Sequence, residues 1–533
     1  MESAKRRWKP VSRERSALVM LAQGILFAAI AAAGILSSTL PINPEEWIYP
    51  LCCVLTATLL WSVISWRLLG GGFLDAYLLF LVAVFMFNGA QCGLELFHLN
   101  QQGILGGRFS SETIAKTVYL VSLGLASLHC GALVGLVRQS GANASPVVPT
   151  GRELASRLTG QILLGLSIIP ACFVLSDNLS VVMAHGYMGL FGRTTATGFG
   201  NVSGILSSFL LPAMLYTLAG SRGRRKVVMA LAVLLLIYVG IYLFIGLRGG
   251  ALMALAAFLW LYHQCIRRIP RSAIVTLAVL VMLLIPIIGI VRTTAGEWRL
   301  SVDAIREQVE SSDRSLVVAG LSEMGRSMST VAYTLDLVPD VRGLDYGVSY
   351  CYALLSTVPN LGWEVHPTNA HGLLADWLVR TVDPGMAAHG GGLGFSLIAE
   401  AYLNFGWTGA PMALALIGWA LRRFFHWAES SPDPARKAVL ASFLSFFLLY
   451  ARGESAICIR ALVWYAFVPY LMVRALTRKG SRHRSTAVVP PPGSPSAPTM
   501  ESTGPVRRPE AVPRRFDAPQ VGPAWSTGLE GNR

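Results

Sequence analysis

The chain has 533 residues, of which 53% are hydrophobic and only 14% charged, with a mean hydropathy of +0.53. At about 20 apolar residues per crossing, roughly 280 hydrophobic residues supply about a dozen membrane-spanning helices and leave little for a soluble core, which excludes a soluble globular enzyme. A net charge of +15 would suggest nucleic acid in a soluble protein. Here the basic residues fall in short clusters between apolar runs, the positive-inside pattern of a membrane protein, and no nucleic-acid partner is expected.

In chain order, residues 1–16 (MESAKRRWKPVSRER and the next serine) form a basic cytoplasmic terminus. The apolar run from about Ala17 to Leu40 is too long for the central region of a cleaved signal peptide and reads as a retained anchor. Further apolar runs lie near 48–69, 73–97, 114–138, 158–177, 201–219, 227–246, 249–265, 273–291, 408–425, 438–451 and 460–476, which gives twelve spans and both termini in the cytoplasm. Basic residues alternate with the crossings as insertion requires. Arg67, then Arg138, Arg152 and Arg157, then Arg222 to Lys226, then Arg267, Arg268 and Arg271, then Arg422, Arg423, Arg436 and Lys437 fall on the cytoplasmic side. The expected organisation is therefore spans one to nine over 17–291, an extracytoplasmic loop domain over 292–394, a re-entrant or amphipathic segment with spans ten to twelve over 395–476, and a tail over 477–533. That tail is rich in Pro, Ser and Arg and is expected to be disordered. Six of the eight cysteines sit inside apolar stretches without metal-ligand or paired spacing, so neither zinc nor a disulfide framework is expected.

The outer segment of about a hundred residues, Arg292 to Gly394, is where chemistry is expected, because a connection that long in a compact membrane protein is usually functional. Arginine dominates that face, at 108, 193, 248, 292, 299, 342, 380, 452 and 460, and the guanidinium fork suits phosphate and carboxylate. Arg248, Arg452 and Arg460 abut apolar helices, where a charge costs several kcal/mol unless paired or hydrated and so marks function by default. Gly249 and Gly250 follow Arg248 at the start of a span, where backbone N–H groups can hold an anion. Arg452 and Arg460 flank Glu454, and an Arg–Glu pair that only joins helices is the competing structural reading.

A second cluster is HGGGLGFSLIAEAYLNFGWTG, residues 389 to 409. Ser396, Glu400 and Asn404 recur every four residues, on one face of a helix. A carboxylate there is expected either to pair with an arginine or to serve as an acid or base. His366, His371, His389, Asp376 and Asp383 lie in the same outer region without metal-ligand spacing. Trp363, Trp377 and Trp407 either stack on sugars or belong to the interfacial aromatic belt.

The stretch GGGLGFSLIAEAYLNFGWTGA resembles the Gly-x-Ser-x-x-x-Glu-x-Tyr-x-Asn-Phe-Gly signature of Wzy-type O-antigen polysaccharide polymerases, here Gly394, Ser396, Glu400, Tyr402, Asn404, Phe405 and Gly406. The resemblance implies an all-α, polytopic integral membrane protein with about twelve transmembrane helices, a large extracytoplasmic loop and the GT-C-like architecture of lipid-sugar-dependent glycosyltransferases. It implies a place in the bacterial inner membrane and substrates that are oligosaccharide repeat units on undecaprenyl pyrophosphate. A chain-length regulator is a candidate partner, and no metal, cofactor or nucleotide sugar is expected. Arg452, Arg248 with Gly249, and Arg292 would hold the pyrophosphate, with Arg460, Ser396 and Asn404 as further substrate contacts. Glu400 would be the base for the acceptor hydroxyl, with His371 and Asp376 as substitutes. An O-antigen ligase shares these features with a different acceptor. A lipid-linked oligosaccharide flippase would show shorter loops on both faces.

Overall fold

The computed structural model describes residues 12–39, 43–100, 103–139, 151–191, 199–270, 272–274, 276–277, 280, 316–360 and 362–486. Arg292, the expected ninth span at 273–291 for most of its length, and the tail beyond 486 lie outside the described residues. Among the described residues every regular element is helical. Seven helices are long and apolar enough to cross a membrane: Arg13–Leu36, Pro44–Leu68, Ser111–Val137, Arg152–His185, Val202–Ala219, Arg225–Ile245 and Ser455–Arg478.

Several expected spans take a different form. The run near 73–97 is the 13-residue helix Ala76–Asn88, a break at Gly89, and the short helix Ala90–Glu95. The run near 438–451 divides into Pro434–Leu444 and Phe447–Ala451. The run near 408–425 lies inside Leu397–Glu429, a 33-residue element interrupted where Gly406 takes φ 61°, ψ −161°. That backbone region is essentially reserved for glycine, so Gly406 is what allows the chain to turn there and resume as helix.

The centre of the bundle is the pairing of Leu397–Glu429 with Ser111–Gln139, the latter buried over most of its length. Two glycines bring these helices together reciprocally. A Cβ on Gly131 would collide with the Ala415 carbonyl, and one on Gly418 would collide with the Leu128 carbonyl. In lipid, where apolar side chains gain nothing by leaving their surroundings, small residues that let backbones approach are a main source of helix association.

The described part of the segment 292–394 packs against the bundle. It folds into the short helices Leu316–Gly325, Met328–Leu337, Val348–Leu355, Pro367–His371, Leu374–Val382 and Pro384–Ala388. Met328–Leu337 packs on both central helices, and Val348–Leu355 packs on Ser455–Ala461. These short helices close one end of the bundle, where the two residue clusters singled out by the sequence meet.

Candidate active site

The signature between 394 and 406 builds a corner in which each member has a defined task. Gly394 takes φ +74°, and a Cβ there would lie 3.4 Å from the Arg452 carbonyl oxygen and 3.8 Å from its Nη2. Glycine is therefore favoured by the left-handed backbone, and the position lies in contact range of Arg452. Ser396 caps the helix: its Oγ accepts from the Ile398 N–H at 3.2 Å and donates to Asn88 Oδ1 at 2.7 Å. Asn88 in turn donates to the Ala451 carbonyl at 3.1 Å, so the signature serine is linked through the broken helix to the residue before Arg452.

Glu400 is 1% exposed. Its Oε1 accepts from the Ser349 hydroxyl at 2.9 Å, and its Oε2 accepts from both the N–H and the hydroxyl of Ser455 at 2.8 Å. Asn404, one turn on, holds the segment at 345–349. Its Nδ2 donates to Ser349 Oγ at 2.8 Å and its Oδ1 accepts from the Gly347 N–H at 2.8 Å. The neighbouring backbone completes this seam, with Asp345 N–H to Leu403 O and Tyr346 N–H to Asn404 O, both at 3.0 Å. Phe405 stacks on Tyr350 at 6.0 Å between ring centroids, and Tyr402 meets Trp407 edge-on at 5.3 Å.

On the other side of this corner opens a cleft of about 240 Å³ lined by Gly249 and Met253, Phe87, Ala375, Gly394 and Phe395, and the run Leu449, Arg452, Gly453, Glu454 and Ile457. Arg452 is exposed and its guanidinium carbon lies 5.5 Å from the centroid of the Phe87 ring. Gly249 brings the Arg-Gly-Gly turn to the same cleft, and Arg248 forms an ion pair with Glu323 of Leu316–Gly325. That helix is tied to the broken helix by Gln91, which donates to the Ser322 carbonyl at 2.8 Å. Gly249 and Arg452, 203 positions apart, thus line one pocket whose walls are mostly apolar apart from Arg452 and Glu454.

Glu454 is 3% exposed. Its two oxygens accept the N–H groups of Leu374 and Ala375, at 2.9 and 3.2 Å, holding the first turn of Leu374–Val382 against the cleft. Burial pushes its carboxyl above the usual range, the two backbone N–H groups pull it back, and nearby Asp376 raises it again.

The remaining candidates are more peripheral. His371 is exposed and stacks flat on Tyr352, with ring centroids 4.1 Å apart. Arg460 is exposed on Ser455–Ala461. Arg342 pairs with Asp345 at 2.7 Å and covers the Trp377 ring at 4.6 Å. Trp407 packs between Tyr119 and Tyr402. Among the described residues, no group of three or more His, Cys, Asp or Glu side chains is placed to hold a metal ion.

The sequence does not single out Asn88, Ser349, Ser455 or Glu323. Only Asn88 carries a local signal, an Asn-Gly break inside an apolar run.

The family model of the O-antigen polysaccharide polymerase Wzy matches residues 19–479. The chain belongs to the Wzy family. No curated protein and no solved structure matches it. The match covers most of the described bundle, from within the first helix to within the last, and it makes this Wzy chain a multi-pass membrane protein of the glycosyltransferase type that polymerises polysaccharide. The corner around Arg452 lies in the part of the Wzy chain that carries the signature.

Proposed function

We propose that this Wzy chain joins oligosaccharide repeat units carried on undecaprenyl pyrophosphate, and that the transfer takes place in the cleft between Arg452 and Gly249 on the outer face of the bacterial inner membrane. The observation that carries the proposal is the meeting of Arg452, Gly249 and Glu454 at one otherwise largely apolar cleft. A pyrophosphate leaving group bears at least two negative charges, and a guanidinium in a site poor in water stabilises that charge far more than it would in bulk solvent.

In the proposed step the sugar hydroxyl of the incoming unit attacks the anomeric carbon at the reducing end of the growing chain. The new C–O bond forms as the bond to the phosphate oxygen breaks, the electron pair leaves with undecaprenyl pyrophosphate, and the hydroxyl proton passes to a carboxylate. Glu454 is the carboxylate that lines the cleft, and each of its oxygens keeps a lone pair beyond the backbone N–H it accepts. Such a base typically contributes about 10²–10⁴-fold. Apolar helices at the bundle edge offer the polyprenyl chain a lateral path, and the short helices between 316 and 388 cover the sugars and limit hydrolysis. A chain-length regulator would act on this polymerisation from outside the cleft.

Deletion of the gene tests the reading. Loss of the surface polysaccharide ladder, with single repeat units still delivered, is the expected result. Full-length polymer left on its lipid carrier would indicate a ligase, and repeat units trapped on the cytoplasmic face would indicate a flippase.

A further inference from the structure

We infer that Glu400 is a positioning residue that aims Arg452 through Ser455, and that it does not take the acceptor's proton. The inference rests on the reading that Arg452 grips the diphosphate. Three observations support it. Glu400 is 1% exposed and is absent from the cleft wall, where the neighbouring Gly394 and Phe395 stand instead. Both of its oxygens are engaged, one by Ser349 and the other twice by Ser455. Ser455 opens the helix Ser455–Ala461 and ends the turn that carries Arg452.

That turn is tethered on every side by polar contacts from distant parts of the chain. Asn88 holds the Ala451 carbonyl, Glu454 holds the backbone of Leu374 and Ala375, and Glu400 holds both donors of Ser455. A long arginine side chain has several rotatable bonds, so its aim is set largely by where its Cα is held. A displacement of about 1 Å at a catalytic group can cost about 10²-fold. A base must reach the cleft where substrate sits, as Glu454 does, whereas a positioning residue needs only to hold the elements around it from behind the wall. Glu400 has the second arrangement.

The two roles separate in a binding measurement. Geranyl pyrophosphate, a water-soluble isoprenyl pyrophosphate, is titrated into the purified full-length protein in lipid nanodiscs. Arg452→Ala is expected to weaken binding by at least about tenfold, and Glu400→Ala by a comparable factor although it does not touch the ligand. The double variant is expected to bind no more weakly than Arg452→Ala alone, because the two changes remove one interaction. Glu400→Gln keeps a carbonyl oxygen for the Ser455 N–H and is expected to restore binding to within about threefold, with elongation within about tenfold. Loss of a base would instead cost elongation about 10²–10⁴-fold and leave binding intact.

Unchanged affinity in Glu400→Ala, or losses that simply add in the double variant, overturns the positioning role. Unchanged affinity in Arg452→Ala overturns the reading of the cleft itself. Should Glu400→Ala fail to fold, Ser455→Ala, which deletes one of the two bonds from Ser455, decides the matter. A weaker affinity supports the inference and an unaltered one contradicts it.

Discussion

The helix Leu397–Glu429 has an arginine site at each end, and the two sites are built oppositely. At its far end Arg422 is 1% exposed, with its guanidinium 5.3 Å from the Trp66 ring and an Nη1 3.7 Å from the Glu429 carboxylate. Around it Asp75 accepts from Trp66 Nε1 at 3.1 Å, and Glu429 accepts the Ala76 N–H at 3.2 Å, so the charges are spent on joining helices. At the near end Arg452 is exposed and borders a largely apolar cleft that also holds Glu454, while Glu400 on that helix is turned toward serines. An arginine in a membrane helix is thus not one signal but two. What separates them is burial: side chains close over the Arg422 guanidinium, whereas Arg452 is exposed at a cleft on a turn held through its backbone.

The comparison can be broken at its strongest point by exchanging the two losses. Arg452→Ala is expected to lower polymer elongation by at least about 10²-fold while the melting temperature in detergent stays near that of the parent protein. Arg422→Ala is expected to do the reverse. Removing one partner of a buried ion pair costs about 3–5 kcal/mol, which a thermal melt or the yield of folded protein would register first. A well-folded, inactive Arg422→Ala variant would erase the distinction.

The role of Glu454 sharpens the same contrast through pH. Because burial raises its carboxyl above the ordinary glutamate range, the basic form needed for proton acceptance is lost as pH falls through that raised value. The acid limb of the kcat/KM profile is therefore expected to lie above that of an exposed glutamate, and Glu454→Gln to remove the limb together with most of the rate. The smallest effect is expected at His371, which is exposed and whose described contact is a flat stack on Tyr352. His371→Ala should change ladder intensity on a gel by no more than about threefold, the scale of a surface substitution.

Much of this was legible in residue order. Within the described residues the apolar runs fall on helices, the face of Ser396, Glu400 and Asn404 is buried, and Gly249 and Arg452 line one cleft. The partners of that face were not legible. Ser349 lies 51 residues from Glu400, Ser455 lies 55 residues from it, and Asn88 lies 308 residues from Ser396. Periodicity identifies which side of a helix is polar but carries no information on what meets it. Hydropathy has a similar blind spot: it reads 73–97 as a single span because Asn88 and Gly89 barely lower the average, although that break supplies the Asn88 link to Ala451. Glu454 looked like a partner for an arginine because it is adjacent in sequence, whereas its oxygens accept the backbone of residues some 80 positions away.

The central claim is that the cleft beside Arg452 releases a polyprenyl pyrophosphate each time two repeat units are joined. Its most direct measurement is turnover by the purified protein on a chemically defined undecaprenyl-pyrophosphate-linked repeat unit, with polymer length and released lipid pyrophosphate counted together. One lipid pyrophosphate per new glycosidic bond from the parent protein, and neither product from Arg452→Ala, is the predicted result. An unaltered ladder from Arg452→Ala, or polymer formed without release of the lipid pyrophosphate, would contradict it.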